Sequence, residues 1–225
     1  MESFAQKRQE WSSQAKFIEN NCFQNGRKIP QLIFDEIIND IKSKLLLDQK
    51  NKSLIDVGCG NGVILSSLSG YFDKLFGCDY SQEMVESAKK ININADVVVC
   101  ESAKLPFNDN LSSHLLSYSI FHYFPSISYA KKSINEFIRV CNPNGIILIG
   151  DILDIKFKEE IISSDDVSIS SELPLIHRYS HWLFYDFEDL ANFCLSNKKV
   201  KDVKILSQPK ILPFHSYRKD LLLCL

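Results

Sequence analysis

No stretch of this 225-residue chain is apolar for long enough to span a bilayer, and no excess of one charge dominates it. Its formal net charge is −2, from 26 basic and 28 acidic residues, so no global positive field draws in nucleic acid or an anionic membrane surface. The first residues, MESFAQKRQEW, mix acid, amide and base where a secretory leader needs an apolar run. Cysteine is not scarce, but none of the seven falls in a C-x-x-C pair, and an odd number lying mostly in apolar runs fits neither a disulfide framework nor a zinc site. Cys224 is next to last, so the four-residue prenylation box is not expected. Repeats and low-complexity tracts are also missing. These absences predict a single-domain cytoplasmic protein that binds neither membrane nor nucleic acid.

The order of hydrophobic runs is more informative than composition. The first twenty residues read as a polar helix carrying Phe4, Trp11, Phe17 and Ile18. A second begins near Pro30, with Ile33, Phe34, Ile37, Ile38, Ile41 and Leu45 at helical spacing. From Lys52, short apolar runs alternate with polar helical stretches. Strands are predicted at 53–57, 74–78, 95–100, 111–119 and 146–149, and helices near 63–68, 81–90 and 126–141. Asn142-Pro-Asn-Gly145 reads as a turn. After Asp151 the regularity lapses, and residues 152–185 read as an insertion. A helix near 187–196 and two late strands, near 200–207 and 218–223, then close one edge as an antiparallel pair. The expectation is an α/β fold, a doubly wound and mostly parallel sheet with helices on both faces. Residues 1–50 supply N-terminal helices that can form a lid, 52–151 the cofactor core, 152–185 an acceptor wall and 186–225 the closing elements.

The segment Ser53-Leu-Ile-Asp-Val-Gly-Cys-Gly-Asn-Gly62 ends a strand in an acid and places glycines at 58, 60 and 62 before a helix. Such glycines let the backbone turn tightly and approach a ligand, and the helix start offers free N–H groups. Asp56, at the strand's carboxyl end, can accept hydrogen bonds from a cationic amine. A nicotinamide-binding loop would need glycine or alanine at Val63, and a phosphate loop would need Lys-Ser or Lys-Thr after the turn. Gly77-Cys-Asp79 ends the next strand about twenty residues on, the spacing of an acid that grips a ribose. The bland alternative is that Asp79 caps the following helix.

The acid-x-G-x-G-x-G pattern resembles motif I of the class I S-adenosylmethionine-dependent methyltransferases. Further segments resemble the same family in order. Glu101-Ser-Ala-Lys-Leu-Pro-Phe107 is similar to its acid-Ala-x-x-Leu-Pro-Phe segment, Ser117-Tyr-Ser-Ile-Phe-His-Tyr-Phe124 to the segment beside the methionine moiety, and Asn142-Pro-Asn-Gly145 to its Lys-Pro-Gly-Gly turn. Two positions depart from the family: Ser113-His114 stands for its Phe-Asp, and the late turn lacks its second glycine. The resemblance covers roughly residues 52–151. It implies a seven-stranded sheet with an antiparallel C-terminal strand, S-adenosylmethionine as cofactor and S-adenosylhomocysteine as product. It assigns cofactor contacts to Asp56, Gly58, Cys59, Gly60, Asp79 (ribose), Tyr80, Met84, Glu101 (adenine amino group), Ser102, Ala103, Tyr118 and Ser119.

An acceptor hydroxyl would profit from a general base titrating near neutrality, which directs attention to histidine. His122 follows the fourth strand, while His177 and His181 lie in Leu175-Ile-His-Arg-Tyr-Ser-His-Trp-Leu-Phe-Tyr185. His122 and His181 are the candidate bases. Tyr123, His177, Tyr179 and Tyr185 join them as candidate acceptor-pocket residues. The competing reading of each is ordinary packing. His177 and His181 lack a third partner for zinc, and no metal is expected. No Asn/Asp-Pro-Pro-Tyr segment of amino-directed nucleic-acid methyltransferases follows the fourth strand. The Phe-His-Tyr-Phe, Ile-Gly-Asp-Ile and Leu-Phe-Tyr-Asp phrases are similar to methyltransferases associated with cell-surface polysaccharides, which implies a sugar or nucleotide-linked sugar as the acceptor. A small amine or phenol is the alternative. A non-catalytic binding module on the same fold is a third reading, against which the intact Asp56, Asp79 and Glu101 argue.

Overall fold

In a computed structural model of the protein, the described residues are 8, 9, 11, 12, 23, 24, 27, 28, 30–45, 52–91, 94–163 and 182–225. Seven strands form one sheet: β1 (Ser53–Val57), β2 (Lys74–Asp79), β3 (Ala95–Val99), β4 (Ser112–Tyr118), β5 (Cys141–Leu153), β6 (Asp202–Ser207) and β7 (Arg218–Cys224). Their spatial order is β3-β2-β1-β4-β5-β7-β6. The pairings from β3 across to β5 are parallel, and β7 runs antiparallel to both β5 and β6. The predicted doubly wound, mostly parallel sheet with its antiparallel strand is therefore the fold observed.

Adjacent strand residues face opposite layers, because side chains alternate across a sheet. On one face Leu54, Leu116, Leu148 and Leu222 pack against helices α1 (Gln31–Lys44), α2 (Val63–Ser67) and α3 (Gln82–Lys90), through Ile41, Leu65 and Val85 among others. On the other, Ile55, Leu115, Ile147, Leu221 and Leu223 pack against α4 (Ile127–Val140) and α6 (Phe187–Leu195), through Phe137, Ile138, Leu190 and Cys194. Near-continuous apolar strands are what a sheet covered on both sides requires. A short helix, α5 (Lys158–Ser163), follows β5. A third apolar cluster gathers Trp11, Met84, Tyr123, Leu153, Ile161, Trp182 and Phe184.

The fifth strand is longer than the sequence pattern predicts. The turn expected at Asn142–Gly145 is a bulge inside β5: register slips opposite Ser112–His114, and Asn144 takes a φ of 66°. A second slip against β7, between Ile149 and Ile152, coincides with Asp151 at φ 64°. Residues assigned to the start of the insertion, Ile152 and Leu153, thus continue the sheet. Most of the predicted first helix and the tract 164–181 lie outside the described residues. Among the described residues, no helix is long and apolar enough to cross a membrane.

Candidate active site

A cleft of about 650 Å³ opens where strand order reverses, between β1 and β4. Its walls come from the carboxyl ends of four strands: Val57 of β1 and Gly58 after it, Cys78 and Asp79 of β2, Cys100 after β3, and Ser119 after β4. Ligands of open α/β sheets bind at this switch point, since the two flanking loops diverge there and leave a crevice.

The glycine loop lies on the cleft floor. Gly58, Gly60 and Gly62 have φ of 80°, 54° and 80°, a region that side-chain-bearing residues rarely enter. At Gly58 a Cβ would also lie 2.6 Å from the Ile120 side chain, so two independent constraints fix glycine there. The amides of Gly58 and Cys59 donate to the Cys78 carbonyl at 2.7 and 3.0 Å, which ties the loop to β2.

Asp79 joins the loop to the second strand. Its Oδ2 accepts from the Gly60 amide at 3.0 Å and its Oδ1 from the Ser81 amide at 2.9 Å. The cap of α3 is Ser81, whose Oγ accepts from the Met84 amide, so Asp79 is not the helix cap. The Tyr80 amide also stabilises this carboxylate, which with about four lone-pair sites keeps room for a further donor such as a ribose hydroxyl. Burial pushes the Asp79 carboxyl up to about 6 despite these amides. Burial, reinforced by the charge of Asp79, pushes Asp56 up to about 7.

The loop after β3 contains no helix and is held from α4. Glu136 accepts from the Leu105 amide at 2.8 Å, and Arg139 donates to the Leu105 and Phe107 carbonyls at 3.0 and 2.8 Å. This places Ser102 in the cleft wall, its hydroxyl 2.9 Å from that of Ser133. Tyr129 of α4 stands beside it, in hydrogen-bond contact with Ser102, and burial raises its hydroxyl pKa.

Of the predicted cofactor residues, Gly58, Gly60, Asp79, Tyr80, Met84, Ser102 and Ser119 line the cleft. Asp56 and Cys59 are buried behind the loop, Glu101 is exposed and Ala103 is half-buried. Tyr118 points to the opposite layer, with Leu148 and Leu222. Of the predicted acceptor residues, Tyr123 lines the cleft. His122 lies behind it, fully buried, with its ring centroid 4.0 Å from that of Tyr123 and 5.1 Å from that of Trp182. Tyr185 is buried and its hydroxyl donates to the Phe121 carbonyl at 2.7 Å. His177, Tyr179 and His181 lie outside the described residues. The lining also includes Ile120, Phe124, Tyr129 and Trp11, whose ring meets Tyr123 edge-on at 5.3 Å. The run of aromatics after β4 hinted at the first two, but no local signal marked Tyr129.

A glycine-rich loop, an acid at the end of β2 and a cleft at the switch point make an arrangement suited to a nucleotide cofactor. Residues 55–149 match a family model described as a methyltransferase domain. "Probable tRNA methyltransferase 9B" of Mus musculus is 36% identical over 107 residues, 47% of this chain and 23% of that protein. The "tRNA (carboxymethyluridine(34)-5-O)-methyltransferase" of Arabidopsis thaliana is 29% identical over 96 residues, 43% of this chain and 23% of that protein. The chain thus spans less than a quarter of the length of these two relatives. The plantazolicin methyltransferase BpumL, solved in complex with S-adenosylhomocysteine, superposes with a TM-score of 0.68 at 17% identity, over 97% of this chain and 95% of that one. Residues 55–149 thus match a methyltransferase domain, within a fold shared with S-adenosylmethionine-dependent methyltransferases of known structure.

Two expectations change. The relatives named above are tRNA methyltransferases, not enzymes of cell-surface polysaccharides. The expectation of no nucleic-acid partner, drawn from the net charge of −2, does not stand against them. Net charge sums over a whole surface, whereas nucleic-acid binding depends on where charges cluster and can draw on parts of a longer protein.

Proposed function

We propose that the chain transfers a methyl group from S-adenosylmethionine to a nucleoside of tRNA, the acceptor class for which its curated relatives are named. The observation that carries the cofactor half is Asp79, bound to the Gly60 and Ser81 amides and still facing the cleft. In this reading its remaining acceptor capacity holds a ribose hydroxyl. The Gly58–Gly60 backbone lets the methionine end approach, Asp56 offsets its positive charge from behind the loop, and Glu101 and Ser102 border the adenine. Bound there, the cofactor supplies an electrophilic methyl on a sulfonium, and the chain's own work is orientation and exclusion of water. Trp11, Tyr80 and Tyr123 give the mouth flat faces for a planar acceptor. We place His122 as the ring that backs Tyr123, not as a base in the cleft. The six described cysteines are free thiols, which suits the cytoplasmic location we propose.

The same aromatic mouth favours one second reading, a sugar or nucleotide-linked sugar stacked on those faces. Calorimetry with S-adenosylmethionine and S-adenosylhomocysteine, on the wild type and Asp79→Ala, tests the cofactor. Micromolar binding largely lost in the variant is expected, and no binding to the wild type sinks the reading. Transfer of labelled methyl into bulk tRNA, run beside nucleotide sugars, decides the acceptor. Label only in the sugars would replace the first reading by the second.

A further inference from the structure

We propose that Asp151 is a positioning residue for the amino-acid end of the cofactor: it takes the hydroxyl proton of Ser119 and leaves that oxygen as an acceptor for the cofactor's ammonium. This rests on the cofactor reading above. Ser119 lies just past β4 and Asp151 near the carboxyl end of the neighbouring β5. Both hold a left-handed backbone, with φ of 61° and 64°. Residues other than glycine persist in that region only where their surroundings over-determine it, and such residues gather at functional sites. Here the Ser119 amide donates to the Gly150 carbonyl at 3.1 Å, and the Ser119 hydroxyl donates to Asp151 Oδ2 at 2.6 Å. The slip of β5 against β7 spans Asp151, the kind of bulge that re-aims a side chain beside a site.

Asp151 is itself held from behind. Arg218 Nη1 pairs with its Oδ2, Gln208 donates to its Oδ1 at 3.3 Å, and its own amide donates to Asp220 at 2.8 Å. Arg218, Gln208 and Asp220 are all buried, so this bracing does not depend on solvent. A serine hydroxyl has one proton and two lone pairs. With the proton committed to Asp151, Ser119 can meet a ligand only as an acceptor. Ser119 lines the cleft beside Ile120, whose side chain lies against Gly58. Asp79 and Ser102 line it from β2 and the loop after β3, on the other side of β1. A cofactor with its ribose at Asp79 and its adenine at Ser102 therefore extends its other end over the glycine loop to Ser119. That end carries an ammonium, which only donates, and a carboxylate, which only accepts. An oxygen without a free proton suits the first and repels the second. Asp56 acts on the same positive charge from behind the loop, and Ser119 meets it from the cleft.

The test is calorimetry with S-adenosylhomocysteine and with its desamino analogue, in which hydrogen replaces the ammonium. The wild type should prefer S-adenosylhomocysteine. Ser119→Gly removes the hydroxyl and suits the left-handed backbone, and it should cut that preference about tenfold, the worth of a hydrogen bond to a charged group. The analogue's own affinity should change little. Asp151→Gly should cut the preference as well, whereas Asp151→Asn, which keeps an oxygen for the Ser119 proton, should restore most of it. Asp151→Gly leaves the buried Arg218 charge bare, so Asp151→Gly/Arg218→Leu, with neither charge, is measured beside it. A merely structural role would weaken both ligands alike. An unchanged ratio in Ser119→Gly therefore overturns the proposal by itself, whichever Asp151 variants fold. A wild type that binds both ligands equally overturns it too. No binding of either ligand to the wild type fails the cofactor reading and the proposal with it, while binding with an unchanged ratio fails the proposal alone.

Discussion

Replacing Asp56 by Asn should make the ligand-free protein less sensitive to rising pH. Asp56 and Asp79 are 2% and 8% exposed, beneath and beside the glycine loop. Both start from an ordinary value of 3.8, and in the folded protein they titrate at about 7 and about 6. Asp79 ionises first, while Asp56 is still protonated, so the repulsion between them falls on Asp56. A raised carboxyl pKa means that the folded chain holds a proton the unfolded chain has already released. The associated stability is full below about pH 4 and is lost as pH climbs through the folded values. Each pH unit in that window costs about 1.4 kcal/mol per group. Between pH 5 and 8, Asp56 then accounts for about 3 kcal/mol of lost stability and Asp79 for about 1 kcal/mol. Urea unfolding at both pH values, without cofactor, gives the comparison. The wild type should lose about 4 kcal/mol and Asp56→Asn about 1 kcal/mol, so the difference isolates Asp56 from other titrating groups. Equal losses in the two proteins, or a wild type more stable at pH 8, would refute the assignment of a protonated acid to the loop.

Gly58→Ala should cost about 1–3 kcal/mol and at least tenfold in S-adenosylhomocysteine affinity, since it meets both a positive φ and the Ile120 side chain. Adding Ile120→Ala should restore only part of the stability in urea melts, because room is regained but the backbone strain is not. Phe137→Ala, in the fully buried layer between α4 and the sheet, should lower stability by about 3–5 kcal/mol and leave cofactor affinity intact wherever the variant is folded. Calorimetry below its unfolding midpoint checks the second half of that expectation.

Elements whose causes are local were legible from the residues alone. Glycines at 58, 60 and 62 mark a turn because only residues without a Cβ enter its φ values readily. Strands buried on both faces are apolar throughout, and Ser81 caps α3 through a hydroxyl three residues from the amide it satisfies. The position of Asp79 followed from the same local logic, since it ends a strand a fixed distance beyond the loop. The long β5 was not legible, because its two bulges depend on partners in β4 and β7. Nor was the direction of the aromatic and histidine side chains. His122 follows β4 as a cleft residue would, yet packing against Tyr123 and Trp182 turns it inward. Tyr185 is held by a carbonyl 64 residues earlier in the chain. Only the packing of distant segments brings Tyr129, on the outer helix, to the cleft wall and sets Arg218, on the antiparallel strand, against Asp151 behind Ser119. Period and propensity report which face of an element is apolar, but which neighbour a polar side chain finds depends on strand order and register, fixed only when distant segments pack together.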